Sequence, residues 1–176
     1  MFDTQSNDTM RRHFQIVSIG HLAKEGGWGV DAPRSYLVPV LLWFTSGQGR
    51  ISIDGEVRGF TAHNAIYLPA NTPVGCDVGK RTQGTAIFFG GHHPLPKPQE
   101  TLHLRLHGLQ KQTDFNQLIE SLMLANGDPS VYRDEMVFHH AALTLLWLAR
   151  ESHVPQAKLK LLTSHPEDEG LQQGQG

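Results

Sequence analysis

Between Phe14 and Phe89, turn-forming residues recur at intervals of about eight to twelve positions, with short apolar runs between them. That spacing favours a β-barrel or sandwich over βαβ units. "FQIVSI" (14–19) is expected as a strand, and "GGWG" (26–29) as a loop holding one aromatic residue. "YLVPVLLWF" (36–44) is apolar and strand-like, with Pro39 marking an edge or a bend. "SGQG" (46–49) reads as a hairpin turn with "RISID" alternating behind it, and "DGE" (54–56) turns again. "YLPANTPVGCDV" (67–78) is a strand, a tight turn and a second strand; "AIYLP" and "GTAIFF" supply further strands. After the Pro-rich "HHPLPKP", "LHLRLHGL" puts Leu102, Leu104 and Leu106 on one strand face and His103, Arg105 and His107 on the other.

At Thr113, a candidate N-cap, the period changes. Phe115, Leu118, Ile119 and Leu122 fall at helical spacing, "NGDPS" ends that helix, and Ser130 can cap a second helix of about six turns running to His153. The second helix carries two apolar stripes: Val137, Ala141, Leu145 and Leu148 on one, Met136, Leu143 and Trp147 on the other. A lone surface helix needs one apolar face. Two faces imply burial on two sides, either within the domain or against the barrel and a partner. The division is therefore a barrel over 14–112, helices over 113–154 and a disordered tail over 155–176. The fold class is mainly β with C-terminal α.

Composition narrows the function. Of 176 residues, 39% are hydrophobic and 18% charged, which suits one globular domain with a helical appendage. The formal net charge of -2 announces no nucleic-acid surface, so direct DNA binding by this chain is not expected. A single cysteine, Cys76, forbids an internal disulfide. With no apolar leader in "MFDTQSNDTMRRHF", that points to the cytoplasm. "AALTLLWLA" falls far short of the roughly 20 residues that span a bilayer.

Catalytic signatures are weak. There is no Gly-x-Ser-x-Gly elbow and no phosphate-binding glycine loop. Cys76 reads as a small core residue. Among the 11 histidines, His103 and His107 lie about 13 Å apart along a strand. His139 and His140 diverge by about 100° on a helix, and His92–His93 read as surface loop histidines. No metal, cofactor or catalytic residue is assigned.

The hairpin-rich segment resembles the cupin β-barrel, a double-stranded β-helix whose two motifs supply metal-binding histidines and a glutamate. Anchoring the first motif on Gly47 puts Arg34 and Tyr36 at histidine positions and Val40 at the glutamate position. Anchoring the second on Pro69 puts His63 and Asn71 at its glycines and Val74 at its histidine. Asn71 tolerates the left-handed backbone that glycine takes there, but valine and tyrosine do not hold a first-row metal. What the resemblance implies is an interior site lined by Arg34, Tyr36, Val40, Leu42, Phe44, Val74 and Cys76. An apolar cup with one guanidinium and one phenol suits a small organic anion. The alternative is that Arg34 folds outward and side chains fill the barrel.

The order of barrel, strand, Pro-containing linker, short helix and long two-faced helix is similar to the N-terminal sensor and dimerisation domain of AraC-family transcription regulators. "LLWFTSGQGRISIDGE" (41–56) and "NAIYLPANTPVGCDV" (64–78) carry the likeness. It implies a small effector, an acid or a sugar, and a homodimer through the helices. The Val137, Ala141, Leu145 and Leu148 stripe is assigned to that interface, and which stripe faces the partner is left to experiment. No helix-turn-helix follows Val154, so the chain is read as a stand-alone sensor or as part of a longer regulator. The rival readings are a small cupin enzyme, isomerase- or dioxygenase-like, acting on a polar metabolite, and a barrel used only for protein contact.

Overall fold

The structure, a computed structural model, describes residues 13–91, 94–153 and 159–160. The chain runs β1 (Gln15–Ser18), α1 (Ile19–Gly26), β2 (Val40–Ser46), β3 (Gln48–Ile53), β4 (Glu56–Thr61), β5 (Asn64–Leu68), β6 (Val74–Val78) and β7 (Gln83–Phe88). Then follow β8 (Lys97–Pro98), β9 (Leu102–Arg105), α2 (Leu109–Asn126), α3 (Arg133–Glu151) and β10 (Leu159–Lys160). Five strands form one antiparallel sheet in the order β1-β7-β2-β5-β9, and three form another, β4-β3-β6. The fold is mainly β with C-terminal α: a cupin-like barrel of two sheets followed by two helices.

The central strand explains the layering. Every residue from Val40 to Phe44 is at most 2% exposed. Side chains alternate across a strand, so Val40, Leu42 and Phe44 enter the core between the sheets, while Leu41 and Trp43 enter a second core under the helices. On β5 and β7, Ile66, Leu68, Ala86 and Phe88 serve the first core; Ala65, Tyr67 and Ile87 serve the second. The molecule is thus three layers: small sheet, large sheet, helices.

Three local expectations change. "FQIVSI" is strand only to Ser18, whose Oγ accepts a hydrogen bond from His21 N (3.1 Å) and starts α1; Gly27 ends that helix at φ 59°. "SGQG" is not a hairpin: β2 and β3 belong to different sheets, and Gly47 (φ 86°) carries the chain across. A Cβ there would lie 2.6 Å from Thr82 Cα. The first C-terminal helix begins at Leu109, not Thr113, so Thr113 lies inside it. "DGE" is the expected tight turn, with Asp54 and Gly55 at φ 51° and 82° between paired Ile53 and Glu56.

The stripe assigned to the dimer interface is corrected. Val137, Ala141, Leu145 and Leu148 are at most 8% exposed, buried against the large sheet of their own chain. The sheet's outer face is itself apolar and needs a cover, and the linker brings α3 onto it. Trp147 of the other stripe also turns inward, its ring 5.1 Å from Phe115. Met136, Leu143 and Leu146 stay 40–52% exposed. Phe115 meets Trp43 edge-on at 4.7 Å, and Asn116 Oδ1 accepts from Trp43 Nε1 at 2.9 Å. The Lys111–Glu151 ion pair ties the start of α2 to the end of α3. The expected disordered tail lies outside the described residues except at Leu159–Lys160, which pair with Pro98–Lys97.

Tyr67 is 1% exposed, and its hydroxyl has no hydrogen-bond partner among the described residues. Burial also pushes its pKa up. A desolvated, unbonded hydroxyl costs about 1–3 kcal/mol. Tyr67→Phe should therefore leave stability unchanged or raise it by about 1 kcal/mol, read as a shift of the urea midpoint at constant m-value. A loss of that size would show that the hydroxyl is bonded.

Candidate functional site

The residues expected to line the barrel do converge, packed into one buried cluster. Arg34 and Val74 pair through their backbones, N–H to carbonyl in both directions at 2.8 Å. The Val74 carbonyl also accepts from Trp28 Nε1 at 3.1 Å. Asn71 takes the expected left-handed backbone, φ 64°, and its N–H donates to the Tyr36 carbonyl at 2.7 Å. Tyr36 sets its ring edge on Phe88 at 5.0 Å, and Phe44 stacks on Phe60 at 3.9 Å. Tyr36, Val40, Leu42, Phe44, Val74 and Cys76 share one cluster, each at most 7% exposed. Arg34 is half-buried and joins the group through its backbone rather than that cluster.

The loop between α1 and β2 closes this end of the barrel. Val30 N–H donates to Asp77 Oδ1 at 2.9 Å, and Arg50 Nη2 to Asp77 Oδ2 at 2.8 Å. The Val30 bond first, then Arg50, holds the Asp77 carboxyl below the usual carboxylate range. Gly75 is required beneath it, because a Cβ there would strike the Gly29 carbonyl. Only the aromatic residue in "GGWG" hinted at this closure: Trp28 is 7% exposed.

Histidines do not converge on a metal geometry. Among the described residues, no three His, Cys, Asp or Glu side chains are grouped so as to hold an ion. His103 Nε2 lies 2.8 Å from Asn64 Oδ1, and His139 lies 3.9 Å from Glu135 on the same exposed helix face. His92–His93 lie outside the described residues. No helix among the described residues is long and apolar enough to cross a membrane.

A cavity of about 350 Å³ opens elsewhere, between the first turns of α3, the end of α2 and the segments that precede β1 and follow β7. Phe14, Leu95, Val137, Phe138 and Ala141 form its apolar wall. His13, Asn126, Arg133 and Asp134 supply polar groups. Arg133 is held in place: Nε donates to the Asn126 carbonyl at 2.7 Å, Nη2 to Asn126 Oδ1 at 2.8 Å and Nη1 to Asp134 at 3.2 Å. An apolar wall with a fixed guanidinium is the lining that a small amphipathic molecule needs. The sequence signal for it is the small residues Gly90, Gly91 and Ala141 amid larger apolar ones.

No family model matches the sequence, and no curated protein matches it as a relative. Among solved structures, the chain is similar in shape to ToxT from Vibrio cholerae. In one crystal form the identity is 8% and the TM-score 0.45, over 93% of this chain and 66% of that one. With ToxT bound to (E)-4-(8-methylnaphthalen-1-yl)but-3-enoic acid they are 9% and 0.43, over 80% and 58%. Vicilin from Corylus avellana gives 15% and 0.29, over 80% and 36%. The chain spans 55–66% of the length of the ToxT chains it matches.

Cys76 is fully buried, and burial, with Asp77 beside it, pushes its thiol up to about 12. Attack requires the thiolate. The folded protein at pH 8 should therefore resist a disulfide reagent such as 5,5′-dithiobis(2-nitrobenzoate), and denaturant should release its single thiol. Rapid labelling of folded protein would show that β6 opens.

Proposed function

We propose that this chain is the small-molecule-sensing and dimerisation module of an AraC-type transcription regulator, non-catalytic and metal-free, acting in the cytoplasm. Its effector is a small organic acid or sugar, and DNA is contacted by other parts of the regulator. The observation that carries this reading is the cavity under the first turns of α3. The same helix turns Met136, Leu143 and Leu146 to solvent on its other side. A ligand in the cavity would touch Val137, Phe138 and Ala141, and so bias the position of the helix that presents the apolar strip.

The strip runs Met136, Leu143, Leu146, with Tyr132 one turn before, at steps of four, seven and three residues that keep to one helix face. Two copies meeting antiparallel about a two-fold axis would cover it, since each patch then meets itself. Exposed apolar strips of this kind are ordinarily explained by a partner.

Aromatic carboxylic acids and monosaccharides, screened by thermal shift, test the sensing half. At least one should raise the melting temperature of the wild type, and Ala141→Leu, which fills the cavity, should abolish that shift. A panel without effect, or a shift that survives Ala141→Leu, overturns the placement. For dimerisation, Leu143→Glu should give a folded monomer by light scattering, with stability within about 0.5 kcal/mol, as for a surface change. Leu145→Glu, at a fully buried position, should fail to fold. Wild-type protein that is monomeric at tens of micromolar sinks the dimer.

A further inference from the structure

The two sheets end in the edge strands β4 and β9, whose Arg58 and His103 lie near one another at a seam between the sheets. α1 lies against β1, β6 and β7 and covers the other side. The side chains that face inward at the seam are cationic or basic. Arg58 pairs with Ile51, and both Ile51 and Phe60, two residues on, belong to the interior core, so Arg58 projects to the same face. On β9, His103 pairs with Ile66 and Arg105 with Asn64, which puts both on the interior face; Leu102 and Leu104 point to the helices.

The polar groups here are incompletely matched. Asn64, 1% exposed, receives Thr61 N–H on its Oδ1 at 3.2 Å and donates its amide to Thr61 Oγ1. His103 Nε2 also meets that Oδ1, so the ring nitrogen is the donor there and Nδ1 is left as the second basic nitrogen. Arg58 reaches Glu56 at 3.3 Å through Nη2, yet its Nε is buried with no partner among the described residues. Burial of His103, followed by the charges of Arg58 and Arg105, pushes that imidazole down from its ordinary pKa. Two guanidiniums beside a half-buried histidine gather positive charge here, offset in part by Glu56 at Arg58. A buried donor without a partner is the kind of group that an unseen ligand ordinarily satisfies. Inward-pointing charges also protect edge strands from pairing with other chains, but protection does not require a buried, unbonded Nε.

We propose that the β4/β9 seam is a binding site for a small oxyanion, the carboxylate or phosphate group of a ligand, held by Arg58 and Arg105, with His103 as a third donor once its Nδ1 is protonated. Guanidinium forks match either group. The groups facing His103 are Arg58 and Glu56 from β4, Arg105 from its own strand and neutral Asn64 from β5. A bound anion offsets the two positive charges, so it raises the His103 pKa and binds more tightly as pH falls. This site is separate from the cavity beneath α3 and does not depend on it.

The test is a titration of the full chain, with histidines labelled, against sodium acetate and sodium phosphate in turn at constant ionic strength set with chloride. One or both should move the His103 Cε1 resonance along a saturating curve. Acetate alone would identify a carboxylate ligand and phosphate alone a phosphorylated one. Arg105→Gln, an exposed position that leaves the fold intact, and Arg58→Gln should each weaken binding by about tenfold, the loss of one charged hydrogen bond. A linear drift indistinguishable from chloride, or saturation unchanged in Arg105→Gln, overturns the site; should Arg58→Gln fail to fold, Arg105→Gln decides.

Discussion

Everything in this molecule hangs on a sheet that is buried on both faces. From Val40 to Phe44 no side chain meets water, and alternate residues feed different cores. Such a strand cannot be stable in a two-sheet barrel alone, because Leu41 and Trp43 would face solvent. The helices therefore cover the outer face of the barrel's large sheet. Trp43 makes the point in detail: its ring meets Phe115 and its Nε1 donates to Asn116, both on α2. Close-packed layers of this kind transmit displacement rather than absorb it. A shift of α3 must be accommodated at Val137, Ala141, Leu145 and Leu148, which touch the sheet directly.

The same constraint decides between the two stripes of α3. Their existence was legible, because periodicity alone reports which residues share a helix face. Their assignment was not, because it depends on what lies across the gap. The outer face of β2, β5 and β7 is apolar at Leu41, Trp43, Ala65, Tyr67 and Ile87, and it claims the Val137 stripe. Trp147, grouped by spacing with Met136 and Leu143, is large enough to reach Phe115 and leaves its group. What remains outside is displaced from Trp147 toward Leu146.

Local chemistry survived the passage to three dimensions better than long-range pairing did. Asp54–Gly55 makes its turn and Asn71 its left-handed residue because each is determined by three or four neighbouring residues. Gly47 looked like turn chemistry too, and it is a glycine position, but the strands on either side belong to different sheets. Nothing in "SGQG" encodes which strand β3 will find. α1 was missed although its cap, Ser18, and its Gly27 terminator are both visible, because the apolar "FQIVSI" reads equally as strand. The cavity and the β4/β9 seam were invisible for a different reason. Each gathers residues more than 40 positions apart, and only the register of the sheets brings them together.

Valine at position 74 now has a physical account. A barrel that binds a metal must keep a polar gap at its centre, lined by ligands that forgo packing. Here Val40, Val74 and Tyr36 are buried together in one hydrophobic cluster. Even the backbone is engaged: the Val74 carbonyl accepts from both Arg34 N–H and the Trp28 indole, leaving little freedom for that turn to reopen. With carbon packed at the centre, charged groups keep contact with water most readily at the rims. That is where they are found: Arg133 and Asp134 at the base of α3, and Arg58, His103 and Arg105 at the β4/β9 seam. The charged side chains of this barrel therefore lie at its margins, while the helix that carries the exposed strip lies on the outer face of the large sheet.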